Sequence, residues 1–91
     1  MSKPLDMELF LAGVLTGSQA TRQRHLRQAK IIQAGIAERW ELETPWAWQR
    51  KHVAWFLEHR LHRHSKAARY YYLLTVQLLA HRLEKSWVFY L

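Results

Sequence analysis

The chain has 91 residues, no Cys, five Trp and a formal net charge of +7 with His neutral. That length holds one domain with a small core. The absence of Cys excludes disulfides and thiolate metal sites, and no apolar run reaches the roughly 18–20 residues that a membrane span needs.

The charge excess lies in the middle and the C-terminal half, and nine of the fourteen cations are Arg, the side chain suited to bidentate phosphate contacts. Strand-like alternation is absent, Gly is scarce, and apolar residues recur at three- and four-residue steps. The expected fold is therefore all-α, a compact bundle of four helices forming a single domain over residues 1–91.

Residues 1–17 should hold a short first helix that Asp6 caps and that runs to about residue 15. Leu9, Phe10, Ala12, Val14 and Leu15 cover much of its surface and should pack on the rest. The apolar run over residues 7–15 is short, follows Asp6 and lacks a strong basic n-region. It does not read as a signal peptide, and a cytoplasmic location is expected. Thr16-Gly17-Ser18 is a break, with Gly17 suited to a helix C′ position and Ser18 to the next N-cap.

The second helix spans about residues 19–39, with Leu26, Ala29, Ile32, Gln33, Ile36 and Trp40 on one face and Arg22, Arg24, Arg27 and Lys30 largely off it. Gly35 inside this pattern costs up to about 1 kcal/mol against Ala; close approach of another helix would explain it. Glu41-Leu42-Glu43 is the linker. Thr44-Pro45 is a helix-start signal, with Thr as N-cap and Pro where its missing N–H is harmless. The third helix should run from residue 45 to about 62. Val53, Phe56, Leu57 and Leu61 form its core stripe, Trp46 or Trp48 sits at its entrance, and Arg50, Lys51, Glu58 and His62 point elsewhere.

Ser65 caps a fourth helix over about residues 66–84. Tyr71, Tyr72, Leu74, Val76, Leu78, Leu79 and Leu83 give it a broad buried face. Lys66, Arg69, Tyr70, Leu73, Gln77, His81 and Glu84 follow on the opposite side. Three successive tyrosines spread over about 200° of a helix, so Tyr71 and Tyr72 are expected mainly in the core and Tyr70 near the surface. The apolar tail, residues 87–91, must pack back, meet a partner or continue into something further.

No catalytic constellation stands out. None of the seven acidic residues has a spacing typical of paired carboxylates on one face, except Glu41 and Glu43 in a linker, and no Gly-rich loop could cradle a nucleotide phosphate. His59, His62 and His64 lie beside Arg60 and Arg63, whose charges disfavour a bound cation, so no metal or cofactor is expected. The basic set is the signal that remains. Arg50 and Lys51 lie in the first two turns of helix three, and Lys66 and Arg69 in the first turn of helix four. Helix N-termini attract phosphate through free N–H groups. Together with Tyr70, and with Arg22 and Arg24, these are the candidate DNA-binding residues; a merely solvated basic surface is the plain alternative.

Three segments resemble the SAM-like N-terminal core-binding domain of phage-type tyrosine recombinases (integrases). They are Thr21-Arg-Gln-Arg-His-Leu-Arg, Trp48-Gln-Arg-Lys-His-Val-Ala-Trp-Phe-Leu, and Ser65-Lys-Ala-Ala-Arg-Tyr-Tyr-Tyr-Leu-Leu-Thr-Val-Gln-Leu-Leu. Val53, Phe56 and Leu57 match the family's first core pattern; Ser65, Tyr72 and Val76 match its second, with Ala68 where the family usually has Thr. The resemblance covers roughly residues 18–88. It implies half of a clamp around duplex DNA, with Arg50, Lys51, Lys66, Arg69 and Tyr70 as the positions carried over. It also implies a domain cut from an integrase, or a small relative of one, that cannot cleave DNA alone. The expected function is thus a non-catalytic DNA-binding module. The alternative is a protein-interaction or regulatory module of a mobile genetic element, forming a homo-oligomer or docking a partner through the tail and the Trp46/Trp48 pair. A third reading is an RNA or single-strand binder that uses the aromatics.

Overall fold

Local capping sets where three of the four helices begin. Asp6 accepts from the backbone N–H of Leu9 at 3.1 Å, Ser18 from Thr21 at 3.2 Å, and Ser65 from Ala68 at 3.1 Å. Each side chain satisfies an N–H that has no partner inside its helix. The helices that follow are α1 (Met7–Leu11), α2 (Gln19–Trp40) and α4 (Lys66–Arg82). Gly17, at φ +95, provides the left-handed turn before Ser18 that a Cβ would oppose. The computed structural model describes residues 5–89. Residues 1–4, and Tyr90 and Leu91 of the expected tail, lie outside the described residues. Every regular element among the described residues is a helix, with no strand.

The region expected as one long third helix is divided. Thr44 caps only a 3₁₀ turn, Pro45–Ala47, by accepting from Trp46 N–H at 3.1 Å. Trp48 and Gln49 then take extended conformations before α3 (Arg50–Trp55) begins, and a π turn, Phe56–Arg60, continues it. The interruption carries the Trp48 indole into the core, 3% exposed, while Trp46 stays 59% exposed. Burial of one large ring outweighs the helix-start signal. The expected stripe still holds, because Val53, Phe56, Leu57 and Leu61 are all buried. Helix α1 is also shorter than expected, and Leu9 is 74% exposed; Met7, Phe10 and Leu11 are its buried members.

Helix α2 is the centre of the bundle, touching α1, α3, the π turn and α4. Leu26, Ala29, Ile32 and Ile36 form its buried stripe. A Cβ on Gly35 would lie 3.0 Å from the Phe56 ring. The glycine therefore allows the π turn to press against α2, and its propensity cost is offset by that packing. On α4 the buried positions are Tyr72, Thr75, Val76, Leu79 and Ala80. Tyr71 is 40% exposed, not core as the spacing suggested, and Leu73 packs partly on the core. The extended segment after α4 folds back, so Trp87 and Phe89 lie half-buried against the core.

Candidate nucleic-acid interface

The acidic residues are unevenly placed. No Asp or Glu lies between Glu8 and Glu38, and none between Glu58 and Glu84. The first gap takes in α2 up to its last turns, and the second takes in all of α4. These two helices pack on each other. The two helices carry Arg22, Arg24, Arg27, Lys30, Lys66 and Arg69 without one carboxylate of their own outside the last turn of α2.

Buried hydrogen bonds hold the two helices in register. The Thr75 hydroxyl, 0% exposed, donates to Gln28 Oε1 at 2.8 Å, and His25 Nδ1 lies 2.8 Å from the same hydroxyl oxygen. A hydroxyl has one proton to give, so His25 is the donor and carries its proton on Nδ1. Burial, helped by the charge of neighbouring Arg24, holds the His25 pKa below its ordinary value. Outside this seam, Arg24 lies over the Tyr71 ring at 4.4 Å, and Tyr71 meets Tyr70 with ring centroids 5.8 Å apart. His64 packs edge-on against Tyr72 at 5.7 Å. Burial raises the Tyr72 pKa, and the nearby positive charge of Arg27 partly opposes that rise.

The structure thus brings Arg24 and Arg27 to the first turns of α4, where Lys66, Arg69 and Tyr70 lie. The other expected site residues are elsewhere. Arg22 faces α1 and lines a shallow cleft of about 250 Å³ together with Glu8 and Leu15. Arg50 donates to the Val88 carbonyl at 2.8 Å and stacks over Phe89 at 4.8 Å, so it fastens the returning tail. Lys51 follows it on α3, exposed. The start of α3 depends on His52, whose Nδ1 accepts from Gln49 N–H at 2.8 Å. Burial and adjacent Lys51 hold that histidine's pKa down, keeping the accepting nitrogen unprotonated.

Two further arginines serve the fold. Arg82 Nε donates to the Phe10 carbonyl at 2.7 Å, and its guanidinium lies 4.9 Å from both the Phe10 and Trp46 rings. Arg60 pairs with Glu38 at 3.5 Å and lies over Trp55. By contrast, among the described residues Arg24, Arg27, Lys66 and Arg69 make no ion pair; Nε of Arg24 and of Arg69 is buried and has no acceptor. Arg27, Tyr71 and His64 are the members that spacing alone missed. The long acid-free spans are the sequence signal that points to them. Among the described residues no three His or carboxylate groups gather as a metal set, and no helix is long and apolar enough to cross a membrane. No protein-family model, curated protein or solved structure matches the chain.

Proposed function

We propose that the chain is a non-catalytic module that binds duplex DNA through its backbone phosphates, using the α2–α4 surface around Arg24, Arg27, Lys66 and Arg69. The observation that carries this reading is the packing of two helices that hold one carboxylate between them, Glu38 in the last turn of α2, and whose cations Arg24, Arg27, Lys66 and Arg69 make no ion pair among the described residues. Phosphate is the acceptor such donors suit, and Arg is the cation best shaped for it. Lys66 and Arg69 also stand in the first turn of α4, where free N–H groups add to the positive field. The recombinase resemblance supports the same direction, with Val53, Phe56, Leu57 and Tyr72 at buried positions and Ser65 at the α4 cap.

The test is binding of a random-sequence duplex at increasing salt. Four phosphate contacts predict a slope of log affinity against log salt of about −3 to −4. Absence of binding at about 50 mM salt, or a slope near zero, rejects the proposal.

A second reading, a partner-docking module, draws on Leu9 and on Trp46, both exposed, the latter packed edge-on against Phe10. Trp48 is buried, and Trp87 and Phe89 lie half-buried on the core, so among the described residues Trp46 and Val88 are the exposed members of the surface first assigned to it. A molecular mass that rises with concentration, and returns to that of the monomer on Trp46→Ser, would favour it over the first.

A further inference from the structure

We propose that Tyr70 and Tyr71, with the Arg24 guanidinium, form a stacking platform for an unpaired base. The preferred ligand would then be nucleic acid with a gap or a single-stranded segment beside duplex, not an uninterrupted duplex. The inference rests on the reading of the α2–α4 surface as a phosphate-binding face, and it names what that face discriminates.

Tyr70 is 52% and Tyr71 40% exposed, while Tyr72 next to them is buried. Two large rings thus stay in water on a face whose charges are all positive. The rings meet at 62°. In such an edge-to-face pair each ring covers at most one face of the other, so Tyr70 keeps a face open. Arg24 covers Tyr71 at 4.4 Å, and its Nε is buried without an acceptor. Its plane is therefore positioned by the ring contact, and it makes no ion pair among the described residues.

The platform is also rigid. The Tyr71 carbonyl oxygen lies 3.3 Å from the Thr75 hydroxyl oxygen, and Thr75 is joined to Gln28 and His25 of α2. Arg24 on α2 and the tyrosines on α4 are thereby held at a fixed spacing, so little order has to be created on binding.

A π face beside phosphate-seeking cations suits a ligand that is both polyanionic and aromatic. An acidic protein offers the charge without the rings. An intact duplex offers phosphates but keeps its base faces stacked on each other. Only an unpaired base presents a free face next to a phosphate, and such faces stack on Tyr and on Arg planes with little regard to sequence.

The test uses the whole chain and three probes at one salt concentration: a labelled intact duplex, the same duplex with a short central gap, and polyphosphate as a competitor without bases. The gapped duplex should bind about 5- to 100-fold more tightly than the intact one. Tyr70→Leu with Tyr71→Leu should bring the ratio of gapped to intact affinity to about one; Tyr70→Phe should retain the preference. Equal binding of gapped and intact duplex, or a preference that survives the leucine pair, overturns the inference and leaves the phosphate-binding face standing. Polyphosphate displacing gapped and intact duplex equally well would also overturn it. Failure to bind any of the three rejects the phosphate-binding face itself.

Discussion

Arg24 and Arg82 both lie on the α2–α4 pair and are the same residue type, but they do opposite work. Arg82 donates to the Phe10 carbonyl and lies against Phe10 and Trp46, tying α4 to α1 and to the 3₁₀ turn. Arg50 and Arg60 are likewise committed, to the Val88 carbonyl and to Glu38. At the other end of α4, Arg24, Arg27, Lys66 and Arg69 make no ion pair among the described residues. A cation's value as a binding residue thus depends on what the fold has already asked of it. Net charge counts both groups alike.

The largest effect expected on the committed side is from Arg82→Ala. It leaves the Phe10 carbonyl unpaired and removes packing on two rings, and should lower unfolding stability by about 2–3 kcal/mol in urea titration. Its salt slope for DNA should change by less than about one contact's worth. Thr75→Val tests the seam beneath the open cations. It strands His25 and Gln28 without their shared partner and should cost about 1–3 kcal/mol. If stability is unchanged, the buried hydrogen bonds do not set the register of α2 on α4.

Acid should loosen both regions at their histidines. His25 and His52 have folded pKa values below the ordinary 6.5. Below about pH 6.5 the unfolded chain takes up protons that the folded chain refuses, so stability falls. The contribution is fully present above that value and is lost as pH drops towards the depressed folded values. For His52 the proton also removes the acceptor of Gln49 N–H. Urea midpoints at pH 7.5 and 5.5 check this, and His52→Gln should flatten the difference. The smallest effect expected is from Arg22→Ala, on the cleft side against α1: under about 0.5 kcal/mol in stability, with no more than a marginal loss of DNA affinity.

The capping residues were legible because caps act within three residues of themselves. Asp6, Ser18 and Ser65 each do what their position implies. So was the core stripe of α3. The division of helix three was not, because Thr44-Pro45 is a sound local signal that the burial of Trp48, a tertiary event, overrides. The ends of α2 and α4 fall within two residues of the expected bounds, although no Gly marks them. Glu41 and Glu84 both adopt φ 58, a turn for which sequence leads one to expect Gly. After α4, Glu84 N–H donates to His81 O and Lys85 N–H to Ala80 O, so the turn is held by hydrogen bonds and not by residue type. At the candidate site, helical spacing placed Lys66, Arg69 and Tyr70 together. It could not show that Arg50 is taken up by the tail, since Val88 and Phe89 lie far along the chain. Nor could it place Arg24 over Tyr71, which joins two helices separated by the whole of α3.

The central claim is that commitment, not charge, separates the two groups of cations. Two charge-matched double variants test it most directly: Arg27→Gln with Lys66→Gln, and Arg50→Gln with Arg60→Gln. Both remove two positive charges. In salt-titrated duplex binding, the first should reduce the slope by nearly 2 with unfolding stability preserved, at about 0.9 per lost phosphate contact. The second should leave the slope unchanged and lower stability. Equal slope losses in the two variants would contradict the account, and would mean that the duplex responds only to the overall charge of the chain.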